Sequence, residues 1–247
     1  MDLVSEWELL IFGIAAILTA AVTAVAGAGG GMVLLIVMLQ FVDPLVAVPA
    51  HGVVQLFANG TRSLSLRSEV DAPMMRWFLL PLVPAMIVGF LLADAIPRSS
   101  GRAVVGIFAL LAVWWPAATA WLAPKVGGDL RRFALVGIAA GILHPTIGAP
   151  GPLISPAFRT VAATHVSFVA TSSLAQSIGH ALKVVIFVIA GFAFLDHLPM
   201  ILIGVAGVML GTRVGVRYIR RIDERVLTAM FKVAVTAGAL RLIAGLF

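Results

Sequence analysis

The sequence predicts an all-α integral membrane protein, a polytopic bundle of transmembrane helices built from two inverted repeats, each with a broken or re-entrant Gly-rich segment. Composition is the first observation: the 247 residues are 61% hydrophobic and only 11% charged, whereas a soluble domain carries about 25% charged residues. The charges also cluster. A transmembrane helix needs about 20 apolar residues, and four stretches without Asp, Glu, Lys or Arg are that long: 9–42, 103–124, 133–158 and 160–182.

A second copy of an unusual motif predicts the internal duplication. Residues 25–35 read VAGAGGGMVLL and residues 146–156 read TIGAPGPLISP, so both place Gly or Pro inside an apolar run. An offset of 121 residues aligns the two motifs and also pairs Gln55 with Gln176. We therefore predict a single transmembrane domain over residues 1–247, with repeat one at about 8–122 and repeat two at about 132–247.

Each repeat divides into five elements. The first is an apolar run that ends at the Gly-rich motif, the second is short, the third carries polar side chains, and the last two are again mainly apolar. Because the second element of each repeat is too short to cross a bilayer alone, we predict a half-helix or one arm of a re-entrant hairpin there. The predicted bounds are 8–26, 30–42, 45–66, 76–95 and 101–122 in repeat one, and 133–147, 151–160, 163–194, 198–219 and 225–246 in repeat two.

The number of elements and the charges predict the topology. Five elements per repeat make the repeats inverted if every element reverses the chain direction. The start MDLVSEWE is acidic, unlike a signal peptide, so we expect the first apolar segment to be retained, with the N-terminus outside. The positive-inside rule then agrees with Arg62, Arg67, Arg76, Lys125, Arg131, Arg132, Arg159, Arg217, Arg220, Arg221 and Arg225 inside and Asp43 and Asp196 outside, and disagrees only with Arg98 and Arg102.

The third element of each repeat carries polar side chains on one helix face. The spacing is i, i+4, i+8 and i+11 in both repeats, which forms a continuous stripe on an α-helix. Polar groups within a membrane are costly and usually face the protein interior. The two polar stripes are His51, Gln55, Asn59 and Arg62 in repeat one, and Ser172, Gln176, His180 and Lys183 in repeat two.

We interpret the two polar stripes as faces that converge on one site between the repeats, where their donors and cations favour an anion. The alternative is structural, because such side chains also form interhelical hydrogen bonds that hold a bundle together. For Arg62, a further alternative is that the side chain snorkels to the cytoplasmic interface. Lys183 is the stronger candidate, because a dozen residues without charge separate it from Asp196.

The Gly-rich segments predict interrupted helices. A helix that restarts in mid-membrane presents free backbone N–H groups and the positive end of its dipole, which together attract an anion. Transporters built from repeats commonly bind substrates at such breaks. The alternative is that Gly only permits close helix crossing. The candidate substrate-binding glycines are Gly27, Gly29, Gly30, Gly31, Gly148 and Gly151.

Several kinds of chemistry lack the residues they need. The chain has no Cys and its histidines are scattered without ligand spacing, so we expect neither a disulfide nor a metal site. It has no Walker-type loop, and we expect no catalytic residues and no cofactor. The net charge of +6 is typical of cytoplasmic loops of membrane proteins, so we expect no nucleic-acid partner.

His144 and His165 lie outside the two polar stripes. Either could exchange a proton near neutral pH, but we interpret both as structural histidines with satisfied hydrogen bonds. Proton coupling through His180 or another histidine, and the absence of any coupling, stay open as alternatives.

With these motifs the chain resembles the TauE/SafE family, the sulfite exporter family of membrane transporters. The resemblance covers nearly the whole chain and rests on GAGGG at 27–31, GAPGP at 148–152 and VATSSLAQSIGHALKV at 169–184. The Ala-Thr-Ser run in the last segment adds Thr171 to the candidate substrate-binding residues. The resemblance implies export or uptake of a small sulfur-containing or organic anion.

The sequence departs from the family pattern in both repeats. Pro150 and Pro152 stand where the family favours Gly, and VPAHGVV at 48–54 stands where an Ala-Thr-Ser-like run is expected. These departures bear on the substrate more than on the fold.

Together, these observations predict a secondary transporter, and specifically an exporter, of a small anion that works by alternating access around a midplane site between the repeats. The resemblance implies sulfite, an organosulfonate or sulfoacetate as that anion, and the other expected partner is the lipid bilayer. The expected location is the bacterial inner membrane. The alternatives are a passive channel for a small polar solute and a membrane-embedded enzyme acting on a lipid-linked substrate, but the matched stripes favour transport.

Overall fold

The computed structural model describes residues 5–97, 100–115, 122, 129–219, 221 and 224–245. Those ranges contain ten α-helices and no strand, which confirms the all-α class. The helices are α1 (Glu6–Ala26), α2 (Gly30–Met38), α3 (Pro44–Ser65), α4 (Ala72–Asp94), α5 (Gly101–Trp114), α6 (Phe133–Thr146), α7 (Gly151–Val161), α8 (His165–Ile189), α9 (Leu198–Tyr218) and α10 (Glu224–Ala244).

Four helical segments are long and apolar enough to cross a membrane. They are Glu6–Ala26, Ala72–Asp94, His165–Ile189 and Phe194–Tyr218, the last of which joins a short 3₁₀ turn to α9. Many of their large apolar side chains are exposed, among them Leu18, Leu91 and Ile189. A surface of this kind is stable in lipid rather than in water, and it supports the predicted membrane class.

Three helices begin where the sequence supplies a capping side chain. Ser5 and Glu8 form a capping box at the start of α1, in which the Ser5 N–H donates to Glu8 Oε2 at 2.7 Å. Asp43 accepts from the Leu45 N–H at 2.9 Å at the start of α3, and Thr164 accepts from the Ser167 N–H at 3.0 Å at the start of α8. Such caps satisfy backbone donors that have no partner within the helix.

Both predicted helix interruptions are confirmed. Between α1 and α2, Gly27 and Gly29 adopt φ angles of 84° and 104°, and between α6 and α7, Gly148 adopts a φ angle of 87°. Residues with a Cβ rarely adopt this left-handed region, so Gly is required at these positions. In each repeat, one helix therefore ends at the interruption and a shorter helix begins after it.

The packing brings the two interrupted segments to the centre of the molecule. α1 packs along α9, α4 packs along α6, α5 packs on α10, and α3 packs against α8. One apolar cluster contains residues of α1, α2, α3, α5, α9 and α10, and a second contains residues of α4, α6, α7 and α8. The α3–α8 contact joins these two clusters, so the helices that carry the two polar stripes face each other.

Three predicted elements end several residues earlier than expected. α2 ends at Met38 rather than residue 42, because residues 39–42 form turns before Asp43 caps α3. α8 ends at Ile189 rather than residue 194, because Gly191, with a φ angle of 83°, ends the helix. The fifth element was predicted to reach residue 122, but α5 ends at Trp114 and residues 116–121 lie outside the described part, as do Arg98, Lys125 and Arg220.

We expect Gly148→Ala to destabilise the protein more than Gly191→Ala. Both substitutions place a Cβ on a left-handed residue, which costs about 1–2 kcal/mol. At Gly148 the new Cβ would also lie 2.9 Å from Leu35 Cδ2, whereas at Gly191 it would meet nothing within 4 Å. Thermal unfolding in detergent measures the difference. Gly60→Ala, in mid-helix with an ordinary 3.5 Å contact, is the control, and equal losses at Gly148 and Gly191 would contradict the packing described.

Candidate functional site

A small cavity lies where the two interrupted segments meet. Backbone at the start of α2 lines one side, at Gly29 and Gly31, and backbone at the start of α7 lines the other, at Ala149 and Gly151. The cavity measures about 10 Å³, which is roughly the space for the centre of one water molecule. The positive ends of two helix dipoles therefore contribute to one enclosed space.

Gln55 and Gln176 lie against the starts of the two half-helices. A Cβ added to Gly31 would lie 3.0 Å from Gln55 Oε1, and one added to Gly151 would lie 2.7 Å from Gln176 Oε1. Gly at these positions leaves the room that each side-chain amide occupies. Both amides line the cavity, so the two repeats contribute the same group at equivalent positions.

The polar stripe of α3 forms a chain of hydrogen bonds that begins beside the cavity. His51 Nε2 lies 2.8 Å from the carbonyl oxygen of Gly31, and Asn59 Nδ2 donates to Gln55 Oε1 at 3.3 Å. At the far end, an Arg62 guanidinium nitrogen donates to Asn59 Oδ1 at 3.1 Å. His51, Gln55 and Asn59 line the cavity, and Arg62 does not.

The structure contradicts the alternative in which Arg62 snorkels to the interface. Its side chain is only 1% exposed. In addition to Asn59, it donates to Ser173 Oγ of α8 at 3.2 Å. Arg62 is thus an interhelical hydrogen-bond donor behind the cavity, as the structural interpretation of the polar stripe required.

The polar stripe of α8 divides into groups inside and outside the cavity. Gln176 and His180 line the cavity. Lys183 is fully buried outside it and donates to the carbonyl oxygen of Gly148 at 3.0 Å. Ser172 bonds back to the Val169 carbonyl of its own helix, at 3.4 Å.

Thr171 does not line the cavity and instead forms a hydrogen bond to another part of the fold. Its Oγ1 accepts from the backbone N–H of Asp71 at 2.9 Å. This bond ties α8 to the residue that precedes α4.

Two basic side chains are buried beside the cavity. Arg62 and Lys183 are 1% and 0% exposed, and the described residues include no buried Asp or Glu. A buried charge without a counter-ion is strongly destabilising. An anion bound between the half-helices would compensate Lys183 across a short distance, whereas a cation there would add to the repulsion.

The structure brings together eight of the fifteen predicted substrate-binding residues. Those that line the cavity are Gly29, Gly31, His51, Gln55, Asn59, Gly151, Gln176 and His180; those that do not are Gly27, Gly30, Arg62, Gly148, Thr171, Ser172 and Lys183.

Two of the residues outside the cavity, Gly27 and Gly30, serve close packing instead. A Cβ on Gly27 would clash with the side chain of Phe168. A Cβ on Gly30 would clash with the side chain of Thr23 and the backbone of Thr19. The alternative that Gly permits close helix approach is therefore right for these two.

Some lining residues were not among those predicted. Thr23, Met32, Ala149 and Pro152 also line the cavity. Ala149 and Pro152 stand inside the GAPGP motif, so the motif itself was a signal for them. Thr23 precedes the first interruption by one helical turn, and its hydroxyl donates to the Thr19 carbonyl at 2.6 Å.

His144 lies beside the site, and His165 does not. The ring centroid of His144 is 4.8 Å from that of His180, in an edge-to-face arrangement. His165 instead places Nε2 2.6 Å from the carbonyl oxygen of Val25. In the part of the chain that the structure describes, no group of three or more His, Cys, Asp or Glu side chains is arranged to hold a metal ion.

One comparison with known proteins finds a match. The model of the family described as sulfite exporter TauE/SafE matches residues 12–242, which is nearly the whole chain and includes both Gly-rich motifs and both polar stripes. No curated protein and no solved structure matches the chain.

We expect small oxyanions to stabilise the detergent-purified protein against thermal unfolding. An anion that binds only the folded state stabilises it by about 2.7 kcal/mol at 100 times its Kd. Sodium sulfite and sodium methanesulfonate should raise the Tm above that in sodium chloride of equal ionic strength. Gln176→Ala should reduce this effect, since its amide lies at the start of α7. Equal stabilisation by all three salts would contradict an oxyanion site.

Proposed function

We propose that this chain, which belongs to the sulfite exporter TauE/SafE family, is a secondary transporter that exports a small anion such as sulfite, an organosulfonate or sulfoacetate. Membership in a transporter family excludes the enzyme alternative and implies membrane transport of sulfur anions. One observation carries the finer proposal. A single cavity is lined by the starts of both half-helices and by Gln55 and Gln176 of the two polar stripes.

The chemistry of the cavity supports an oxyanion as the substrate. Backbone N–H groups at a helix start and side-chain amides donate hydrogen bonds to oxygen atoms without carrying a full charge. Lys183, one turn beyond His180, adds the charge that attracts an anion. Its ammonium lies outside the cavity on the Gly148 carbonyl, next to the lining residue Ala149, and from there it can attract an arriving anion.

The size of the cavity supports alternating access over a passive channel. At about 10 Å³ it has room for roughly one water molecule, so an anion requires the surrounding helices to move apart. A channel would instead keep a continuous pore.

A larger pocket of about 300 Å³ lies beside the starts of α3 and α5 and the end of α6. Its walls include Val48 and Thr146, which are close in sequence to His51 and Gly148 at the site.

The pairing of helices supports two related repeats. α1 of repeat one packs on α9, the fourth helix of repeat two, and α6, the first helix of repeat two, packs on α4, the fourth helix of repeat one. The third helices, α3 and α8, pack on each other, as do the fifth, α5 and α10. A two-fold relation produces this pattern. Inverted repeats that rock around a central site are a common basis of alternating access.

We further propose that the protein lies in the bacterial inner membrane with its N-terminus outside. The distribution of Lys and Arg supports this orientation. The proposed topology puts the 300 Å³ pocket at the outer end, because it is lined by Asp43, which precedes α3, and by Asp94, at the end of α4.

We expect Lys183→Ala to lower the apparent affinity for sulfite in proteoliposomes at least tenfold, since loss of a buried charged hydrogen bond costs about 1.5–3 kcal/mol. The matched control is Lys232→Ala, because the Lys232 ammonium lies over the Trp114 ring, 5.3 Å from its centroid, away from the cavity. Radiolabelled sulfite counterflow measures both, and it also separates a transporter from a channel. Wild-type uptake that does not saturate with increasing sulfite concentration would contradict the transporter proposal.

We expect a reporter enzyme fused after Phe247 to be active outside the cytoplasm. Ten elements that each reverse direction return the C-terminus to the side of the N-terminus. A matched fusion at Arg132, which the same topology puts inside, is the control. A cytoplasmic C-terminus would contradict the proposed orientation, and the same location for both fusion sites would contradict the inverted repeats.

A further inference from the structure

We propose that His51, His144 and His180 form one proton-binding cluster and that the proton it holds moves with the transported anion. This inference rests on the proposed function, because it assigns the coupling ion of the same site. It also gives a role to His144, which the sequence alone suggested to be structural.

The three rings are in direct contact at the centre of the molecule. The His180 ring lies between the other two, with its centroid 5.8 Å from that of His51 and 4.8 Å from that of His144, both edge-to-face. They come from α3, α6 and α8, and none is more than 2% exposed. His51 and His180 line the cavity, so an anion bound there would contact the cluster directly.

Backbone carbonyls fix which nitrogen of two rings is free to accept a proton. His51 Nε2 lies 2.8 Å from the Gly31 oxygen, and His144 Nδ1 lies 2.7 Å from the Ala140 oxygen. A carbonyl oxygen only accepts, so both nitrogens carry hydrogen. In a neutral imidazole the other nitrogen is then an acceptor with a free lone pair.

Those free nitrogens have no hydrogen-bond partner. His51 Nδ1 and His144 Nε2 are buried and unpaired, and so is His180 Nδ1. Buried unpaired polar atoms are rare in proteins and call for an explanation. An anion in the cavity that accepts a hydrogen bond from a protonated ring of the cluster would provide one.

Lys183 links the proton to the anion. Among the described residues it is the buried charged side chain nearest the cluster on its own helix, whereas Arg62 lies at the far end of the α3 stripe and Arg159 of α7 lies over Phe168. The helices α2 and α6 carry no other ionisable group. The charged groups of the neighbouring helices α4 and α9 are exposed: Arg76, Asp94, Arg213 and Arg217. With no buried carboxylate near Lys183, a second positive charge on the cluster is unfavourable. A bound anion attracts both charges, so it lowers the cost of the second one.

The coupling between anion binding and protonation of the cluster must be reciprocal. If the anion favours protonation of the cluster, protonation raises the affinity for the anion by the same factor. Anion affinity should therefore fall as pH rises and the cluster loses its proton, by up to about tenfold per pH unit for one linked proton. Transport of the pair would then link the gradient of the anion to the proton gradient.

Calorimetric titration with methanesulfonate tests the cluster, because this anion stays ionised over the whole pH range used. The detergent-purified protein is titrated in two buffers of different ionisation enthalpy. Proton uptake makes the observed binding enthalpy differ between the buffers. We expect that difference in the wild type and its loss in His144→Gln and His180→Gln. The control is His197→Gln, since His197 stacks on Phe192 outside the cluster, with ring centroids 5.5 Å apart.

Each result decides a separate point. Wild-type binding with the same enthalpy in both buffers overturns the cluster and leaves the proposed function intact. Proton uptake that persists in the His144, His180 and His51→Gln variants also overturns it. No binding of methanesulfonate or sulfite by the wild type contradicts the proposed function and the cluster together. A cooperative unfolding transition verifies that each variant is folded, and His51→Gln replaces either variant that is not.

Discussion

Inside a bilayer, backbone groups that leave a helix must find partners within the protein, and this constraint organises the whole chain. Two helices are interrupted, and the helices that carry the polar stripes lie against both interruptions. Lys183 donates to the freed Gly148 carbonyl, His51 bonds to the Gly31 carbonyl, and a Gln amide lies at the start of each half-helix. The interruptions and the polar stripes therefore require each other. That dependence explains why they occur together in both halves of the sequence.

The helices were predictable because their signals are local. Charge-free windows, the internal duplication and clustered Gly predicted ten elements with ends mostly within a few residues, and the matched stripes predicted that α3 and α8 face each other. The sequence did not predict which residues of the two polar stripes lie outside the cavity. Lys183 and Arg62 have long side chains, which extend away from the cavity and donate to Gly148 and Ser173. Helical spacing shows which face of a helix a residue is on, but it does not show where a long side chain ends. The position of His144 depends on how α6 rotates against α8, which is a tertiary property.

The closed cavity connects the fold to transport. The cavity has room for about one water molecule. In the proposed mechanism, an oxyanion therefore enters only when the surrounding helices separate. The unpaired histidine nitrogens and the Lys183 side chain lie in or beside this cavity, and the described residues include no buried carboxylate. A bound anion would supply the missing charge.

The central claim is that both repeats contribute to one anion site, and binding stoichiometry tests it most directly. Calorimetric titration of the purified protein with sulfite should give one site per chain, weakened by Gln55→Ala and by Gln176→Ala alike. Two sites per chain, each sensitive only to the Gln beside its own half-helix, would show that the interruptions act separately and would contradict the claim.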